Sequence, residues 1–252
     1  MPDPALSLLV DDENVVEAAV VTRRGIEACF PCSHRFLRYR ELIARYSAAI
    51  MRLIDRGLLR RLLSYAIVYK PRLGQVILIP LSNQRVLVLV APFSDKVHGE
   101  GVAEAFSQLL MKIIEGKGAP CTTESTGSTY SRIRELGDAG GIAATDPIVA
   151  RLVREGFIRY AIVYSLLSHS ITSSYRVPRP AYLAVGKVLE LYASLRSYTG
   201  VKLYPLLIAF DPEFKLLAIP FRERIVVVGG LLRPAIHIVK AVAKVCRGSS
   251  YT

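Results

Sequence analysis

Tryptophan is absent from this 252-residue chain, and asparagine and glutamine number only two and three. A shortage of the thermolabile amides is typical of proteins from thermophiles. The longest apolar runs, 86–93 and 225–232, have the length of strands, far short of the roughly 20 residues that cross a bilayer. Residues 1–4 (MPDP) lack the basic start and apolar stretch of a signal peptide. We therefore expect a cytoplasmic protein without a membrane span.

The motifs of common enzyme classes are also missing. The glycines at 116–118 and 137–141 lack the following lysine and hydroxyl with which a phosphate loop holds nucleotide and magnesium. No Ser or Cys lies in a nucleophile elbow. None of the four histidines has the spacing of a metal-ligand pair; they are His34, His98, His169 and His237. We predict a protein that is not an enzyme and needs no metal or cofactor.

An internal duplication is the most informative feature that is present. Residues 75–92 (QVILIPLSNQRVLVLVAP) and 215–232 (KLLAIPFRERIVVVGGLL) share an apolar run ending in Ile-Pro, a polar turn, an arginine and a second aliphatic run. A long unit that occurs only twice indicates two copies of one domain, because solenoids repeat short units many times. We predict domains at 1–115 and 145–252, joined by a Gly, Ser and Thr-rich tether at 116–144.

Each copy shows one order of elements. In the second copy, Asp146-Pro147 predicts a helix start, and turn residues separate five short aliphatic strands and two further helices. The first copy predicts the same strands, with one long helix at 36–56. The predicted fold class is α/β in the α+β sense: two tandem α-β-β-α-β-β-β-α domains, each with an antiparallel five-stranded sheet.

The order and apolar spacing resemble the roadblock (dynein light chain) family, here as a tandem, archaeal-type member. The resemblance is carried by YAIVY at 160–164, ITSS at 171–174, LAIP at 217–220 and IVVVG at 225–229. A longin-like or profilin-like domain, which shares the core β-β-α-β-β-β-α order, is the structural alternative. The resemblance implies that the middle helix and third strand of each copy pair to make one continuous sheet.

The middle helices support that pairing. In the predicted helix 181–198, polar residues form one narrow stripe, so its apolar surface, including Leu183, exceeds what one sheet face can cover. We expect the surplus to meet helix 36–56 and form an intrachain pseudo-dimer. Pairing between chains, and further homo-oligomers, stay open. The predicted pairing residues are Ala44, Ala48, Met51, Leu189, Leu191 and Tyr192.

Cysteine spacing leaves three interpretations. Cys29-Phe30-Pro31-Cys32 lies between a predicted strand and a predicted helix, as redox cysteine pairs do. It lacks the second pair of ligands that a tetrahedral metal site needs. A redox or metal role, a local disulfide and two inert thiols therefore all stay open for Cys29 and Cys32.

The formal net charge of +12 suggests an acidic or anionic partner. Arg38, Arg45, Arg52 and Arg56 recur at spacings of seven, seven and four along the predicted long helix. Their stripe is read either as a solvated face or as a partner-binding surface. The resemblance implies a scaffold or regulator that binds a small Ras-like GTPase or a cytoskeletal, motility or trafficking assembly. A basic nucleic-acid-binding module is the alternative, although no nucleic-acid-binding motif accompanies the charge.

Overall fold

Aliphatic strands and amphipathic helices alternate through both halves of the chain. The structure, a computed structural model, describes residues 4–55, 64–82, 84–115, 146–197, 202–210 and 214–248. The first half contains α1 (Pro4–Ser7), β1 (Glu17–Thr22), β2 (Gly25–Phe30), α2 (His34–Arg38), α3 (Arg40–Asp55), β3 (Tyr65–Lys70), β4 (Gly74–Pro80), β5 (Arg85–Ala91) and α4 (Gly99–Glu115). The second half contains α5 (Pro147–Arg154), β6 (Tyr160–Ser165), β7 (Ser170–Tyr175), α6 (Arg179–Arg196), β8 (Leu206–Ala209), β9 (Lys215–Phe221), β10 (Arg224–Gly229) and α7 (Ala235–Gly248).

All ten strands form one antiparallel sheet in the order β2-β1-β5-β4-β3-β8-β9-β10-β6-β7. Each half contributes five neighbouring strands, and the halves meet where β3 pairs with β8. Tyr65 lies opposite Ala209 and Val68 opposite Leu206 in that pair. The fold is therefore α+β, and the predicted continuous sheet across both halves is confirmed within a single chain.

Helices cover both faces of this sheet, because its strands are apolar on both sides. In β3, Ala66 and Val68 contribute to the core beneath α2, α3 and α6, which we call the helix-pair face. Tyr65, Ile67 and Tyr69 contribute to the core beneath α1, α4, α5 and α7, which we call the opposite face. The alternation of side chains along each strand thus builds two cores.

The helix predicted at 36–56 is interrupted. Ser33 caps α2 by accepting a hydrogen bond from the Phe36 amide, and α2 ends at Tyr39, whose φ and ψ of −105° and 10° depart from helical values. Helix α3 starts at the next residue. The prediction of one continuous helix was wrong here, since the spacing of apolar residues does not register a single non-helical residue.

The predicted start of the second half is confirmed. Asp146 Oδ1 accepts hydrogen bonds from the amides of Ile148 at 2.9 Å and Val149 at 3.3 Å. Its other oxygen lies 2.9 Å from Arg224 Nη1. The cap therefore ties α5 to β10 and fixes the helix against the opposite face.

The tether predicted at 116–144, and with it the boundary between the predicted domains, lies outside the described residues. Within the described ranges, no helix combines the length and apolar character that crossing a membrane requires.

Candidate functional site

Helices α3 and α6 contact each other across the centre of the helix-pair face. Three of the six predicted pairing residues are buried: Met51, Leu191 and Tyr192. The other three, Ala44, Ala48 and Leu189, are partly buried, and Ala48 and Leu189 pack against the same core. One core cluster therefore includes side chains of both helices and of both halves of the sheet, as the surplus apolar surface indicated.

Tyr204, just before β8, connects the elements on this side. Its amide donates to Tyr46 Oη of α3 at 3.0 Å, and its carbonyl accepts from Tyr192 Oη of α6 at 2.6 Å. Its ring lies 4.4 Å from Lys70 Nζ, measured to the centroid. Burial raises the pKa of Tyr46 and Tyr192 far above the usual tyrosine value. Both hydroxyls therefore stay neutral and act as hydrogen-bonding groups that hold the halves together.

On the opposite face, α4 is positioned by a buried glutamine of β4. Gln75 Oε1 accepts from the Gly99 amide at 3.0 Å, at the first residue of α4. Gln75 Nε2 donates to the carbonyls of Pro92 at 2.8 Å and Val97 at 2.7 Å. These bonds direct the first turn of α4, and with it Glu100, toward the second half.

Glu100 caps a helix that belongs to the other half of the chain. Its Oε1 accepts from the Ala235 amide of α7 at 3.1 Å. Burial raises the pKa of Glu100, against the lowering effects of that hydrogen bond and of Lys215. A carboxylate at a helix N-terminus interacts favourably with the helix dipole, so the contact joins α4 to α7.

Two further acidic groups of the first half face basic groups of the second. Glu104 accepts from Tyr65 Oη at 3.0 Å and forms an ion pair with Lys215. Asp95 lies 2.8 Å from Lys240 Nζ and 3.5 Å from His237 Nε2. The polarity is one-sided, with acids on α4 and its preceding loop and bases on β9 and α7.

These polar contacts were not predicted from the sequence. Asp95, Glu100 and Glu104 are separated from their partners by more than a hundred residues, so no local pattern links them. Two histidines that the sequence places far apart are also neighbours, since the rings of His98 and His237 lie 5.6 Å apart edge to face. In the described part of the chain, no three metal-binding side chains cluster.

The predicted arginine stripe is divided by the break at Tyr39. Arg38 is exposed on α2, whereas Arg45 and Arg52 lie on α3. Arg45 forms an ion pair with Glu41 one turn earlier, and Arg52 is exposed. Arg56 lies outside the described residues. Three of the four cations are thus placed along the outer side of α2 and α3.

Helix α6, which contacts α3, adds exposed apolar surface. Leu183 is 70% exposed and Tyr182 is 43% exposed. We expected the surplus apolar residues of this helix, Leu183 included, to contact the partner helix. For Leu183 the expectation was wrong, because this side chain is exposed to solvent instead of packing on the sheet or on α3. The helix pair instead presents leucine and tyrosine to solvent.

Cys29 and Cys32 are joined as a disulfide at the end of β2, with Cα atoms 5.2 Å apart. Cys29 is buried and Cys32 is half-buried. Of the interpretations left open by the sequence, this geometry agrees with the local disulfide.

Comparison with models of protein families and with curated proteins finds no match for this chain.

Proposed function

We propose that the chain is a non-catalytic cytoplasmic scaffold in which two roadblock-like domains form an intrachain pseudo-dimer. The mirrored strand orders β2-β1-β5-β4-β3 and β7-β6-β10-β9-β8 support this interpretation, as does the junction at the third strand of each half. The resemblance noted in the sequence then suggests a small Ras-like GTPase as the partner, or a cytoskeletal, motility or trafficking assembly.

The outer side of α2, α3 and α6 is the proposed docking surface. It combines exposed Leu183 and Tyr182 with Arg38, Arg45 and Arg52. Arginine and aromatic side chains are enriched among the residues that dominate protein–protein binding. This combination is the observation that carries the proposal, since the arginines alone would suit any anionic ligand.

The proposal is tested with the double variant Arg45→Glu, Arg52→Glu. Charge reversal should slow association with a Ras-like GTPase of the same organism by about tenfold at low salt, and by less at high salt, because steering is screened. Arg154→Glu with Arg233→Glu is the matched control, since both arginines are exposed and neither lies on the docking surface. Equal association rates for the two double variants would rule out this surface.

Calorimetry on the chain alone tests the non-catalytic part. We expect neither binding nor hydrolysis of GTP or ATP, because the sequence lacks a phosphate loop. Binding of GTP or ATP with micromolar affinity would contradict the proposed scaffold function. The alternative of a nucleic-acid-binding module, suggested by the net charge of +12, predicts oligonucleotide binding that weakens log-linearly and steeply with salt.

A further inference from the structure

A buried carboxylate accompanies the Cys29–Cys32 disulfide. Glu17, at the start of β1, is only 6% exposed. Its Oε1 accepts a hydrogen bond from Ser33 Oγ, the residue after Cys32. Its Oε2 is buried without a hydrogen-bond partner. Leaving a carboxylate oxygen unsatisfied in the interior is costly, so this group calls for an explanation beyond packing.

The strand register brings Glu17 to the disulfide. Ala19 of β1 lies directly opposite Cys29 of β2, and Glu17 lies on the same side of the sheet as Ala19 because side chains alternate along a strand. Glu17 and Cys29 are therefore diagonal cross-strand neighbours, whose Cβ atoms are about 7 Å apart or less. A glutamate side chain is long enough to span that gap, and the bond from Ser33 ties its carboxyl group to the residue that follows Cys32.

The fold itself does not require this arrangement. Glu17 lies opposite Val90 of β5, and the corresponding residue of the second half, Tyr160, lies opposite Gly229 of β10. The position of Cys29 corresponds to Ser174, since Ser174 pairs with Ile162 as Cys29 pairs with Ala19. Tyr160 fills its site so closely that a side chain at position 229 would collide with the ring. An uncharged, well-packed solution thus exists in the same chain.

Glu17 holds its proton more readily than an exposed glutamate does, because its carboxyl group is buried. Burial is the main cause that raises its pKa above the ordinary 4.5, while the Ser33 hydrogen bond and the charge of Arg35 lower it. Arg35 is the charged group that faces it, and Arg35 itself donates to the carbonyls of Arg72 at 2.8 Å and Leu73 at 2.6 Å. The carboxyl group is therefore suited to give and take a proton inside the protein.

We propose that Cys29, Cys32 and Glu17 form a thiol–disulfide exchange site for a protein dithiol, with Glu17 as the proton donor to the buried sulfur. Cys32 is the more accessible cysteine, so its sulfur receives the attack. This activity is independent of the docking function proposed above and uses a different part of the first half.

The exchange takes place in two attacks at sulfur. A thiolate of the dithiol attacks Cys32 Sγ, the bond between Cys29 and Cys32 breaks, and a mixed disulfide forms on Cys32. Cys29 leaves as a thiolate and takes the proton of Glu17. The second thiolate of the dithiol then attacks the other sulfur of the same dithiol, which is bound to Cys32 in the mixed disulfide. This attack releases Cys32 as a thiolate, and solvent protonates it. The dithiol is oxidised, both cysteines are reduced, and Glu17 recovers its proton from solvent.

The test measures reduction of the full-length oxidised chain by dithiothreitol from pH 5 to 9, with Cys121→Ser and Cys246→Ser so that only one pair reacts. Rates are normalised to the reagent's thiolate concentration. The normalised rate should fall as pH rises through the pKa of Glu17, because the carboxylate has no proton to donate. Glu17→Gln should remove this pH dependence and lower the rate at low pH on the order of tenfold to a hundredfold.

Glu27→Gln is the matched control, since Glu27 lies in the same hairpin but is exposed and pairs with Arg85 at 2.9 Å; it should keep both the rate and the pH profile. Ser33→Ala decides the question if Glu17→Gln does not fold. The Ser33 hydrogen bond lowers the pKa of Glu17. Its loss should therefore raise that pKa and move the midpoint of the profile to higher pH. An unchanged normalised profile in Glu17→Gln or in Ser33→Ala would overturn the proposal and leave a purely structural disulfide. Failure of air or oxidised dithiothreitol to oxidise the pair would also overturn it.

Discussion

On the helix-pair face the halves meet through α3 and α6, whereas on the opposite face they meet through α4 and α7. The first contact, which we call the apolar side of the joint, is built from aliphatic residues and the neutral hydroxyls of Tyr46 and Tyr192. The second, the polar side, is built from carboxylates of the first half and basic or amide groups of the second. These two contacts, on opposite faces of one sheet, together form what we call the joint between the halves, and each uses a different kind of interaction.

The two sides contribute differently. Full burial of one leucine or methionine side chain stabilises a fold by about 1.5–3 kcal/mol, whereas an ion pair near the surface contributes about 0–1 kcal/mol. The apolar side therefore supplies most of the free energy of the joint. The polar side supplies selectivity, because two first halves pairing with each other would lack Lys215 and Lys240, the bases of the second half that face Glu104 and Asp95.

Leu191→Asp tests the apolar side and should have the largest effect. Leu191 is 1% exposed, and a buried unpaired carboxylate should lower the free energy of unfolding by about 3–5 kcal/mol. Leu183→Asp makes the same change on the same helix at a residue that is 70% exposed, and should change stability little. Chemical denaturation measures both. Similar losses of stability for the two variants would show that Leu191 is not buried and Leu183 not exposed on α6.

Tyr192→Phe isolates one hydrogen-bonding group on that side. Removing the hydroxyl leaves the Tyr204 carbonyl, 2.6 Å away, without this donor and removes the 3.1 Å contact with the Ala218 carbonyl. The expected loss is about 1–3 kcal/mol, the cost of an unsatisfied buried acceptor. Tyr182→Phe, at an exposed position of α6, is the control. If both variants are as stable as the wild type, Tyr192 contributes only its ring.

Glu100→Gln tests the polar side through pH. Because burial raises the pKa of Glu100 above 4.5, the folded state holds its proton more tightly than the unfolded state. The free energy of unfolding then falls as pH rises from 4.5 through the folded pKa. Glutamine does not titrate, so the stability of Glu100→Gln relative to wild type should increase with pH across this window. Denaturation curves at pH steps from 4 to 7 measure it; a constant difference would contradict the inferred burial of the charge.

Asp95→Asn is the comparison of opposite sign, measured in the same way with the pH steps extended well below 3.8. The hydrogen bond from Lys240 lowers the pKa of Asp95 below 3.8, so its contribution is present above pH 3.8 and is lost as pH falls through the folded pKa. The deficit of Asp95→Asn should therefore shrink toward low pH, and added salt should also reduce it because the pair is exposed. Its effect should be the smallest of the series.

Local patterns predicted the elements well where each pattern has one structural cause. The cap at Asp146 and the strands β4, β5, β9 and β10 follow from a capping side chain and from aliphatic runs between turns. The break at Tyr39 was missed because the apolar spacing continues through it. The carboxylates of the polar side and Glu17 were missed because nothing in a linear pattern distinguishes a buried acid from an exposed one.

By itself the sequence determined that the chain contains two copies of one α+β unit and that their middle helices carry more apolar surface than a sheet can cover. These properties follow from the order and spacing of residues along the chain. Only the tertiary structure decided that β3 pairs with β8, that Glu100 caps α7 and that Leu183 faces solvent. Such contacts join residues distant in sequence, so they depend on how the two halves meet rather than on either half alone.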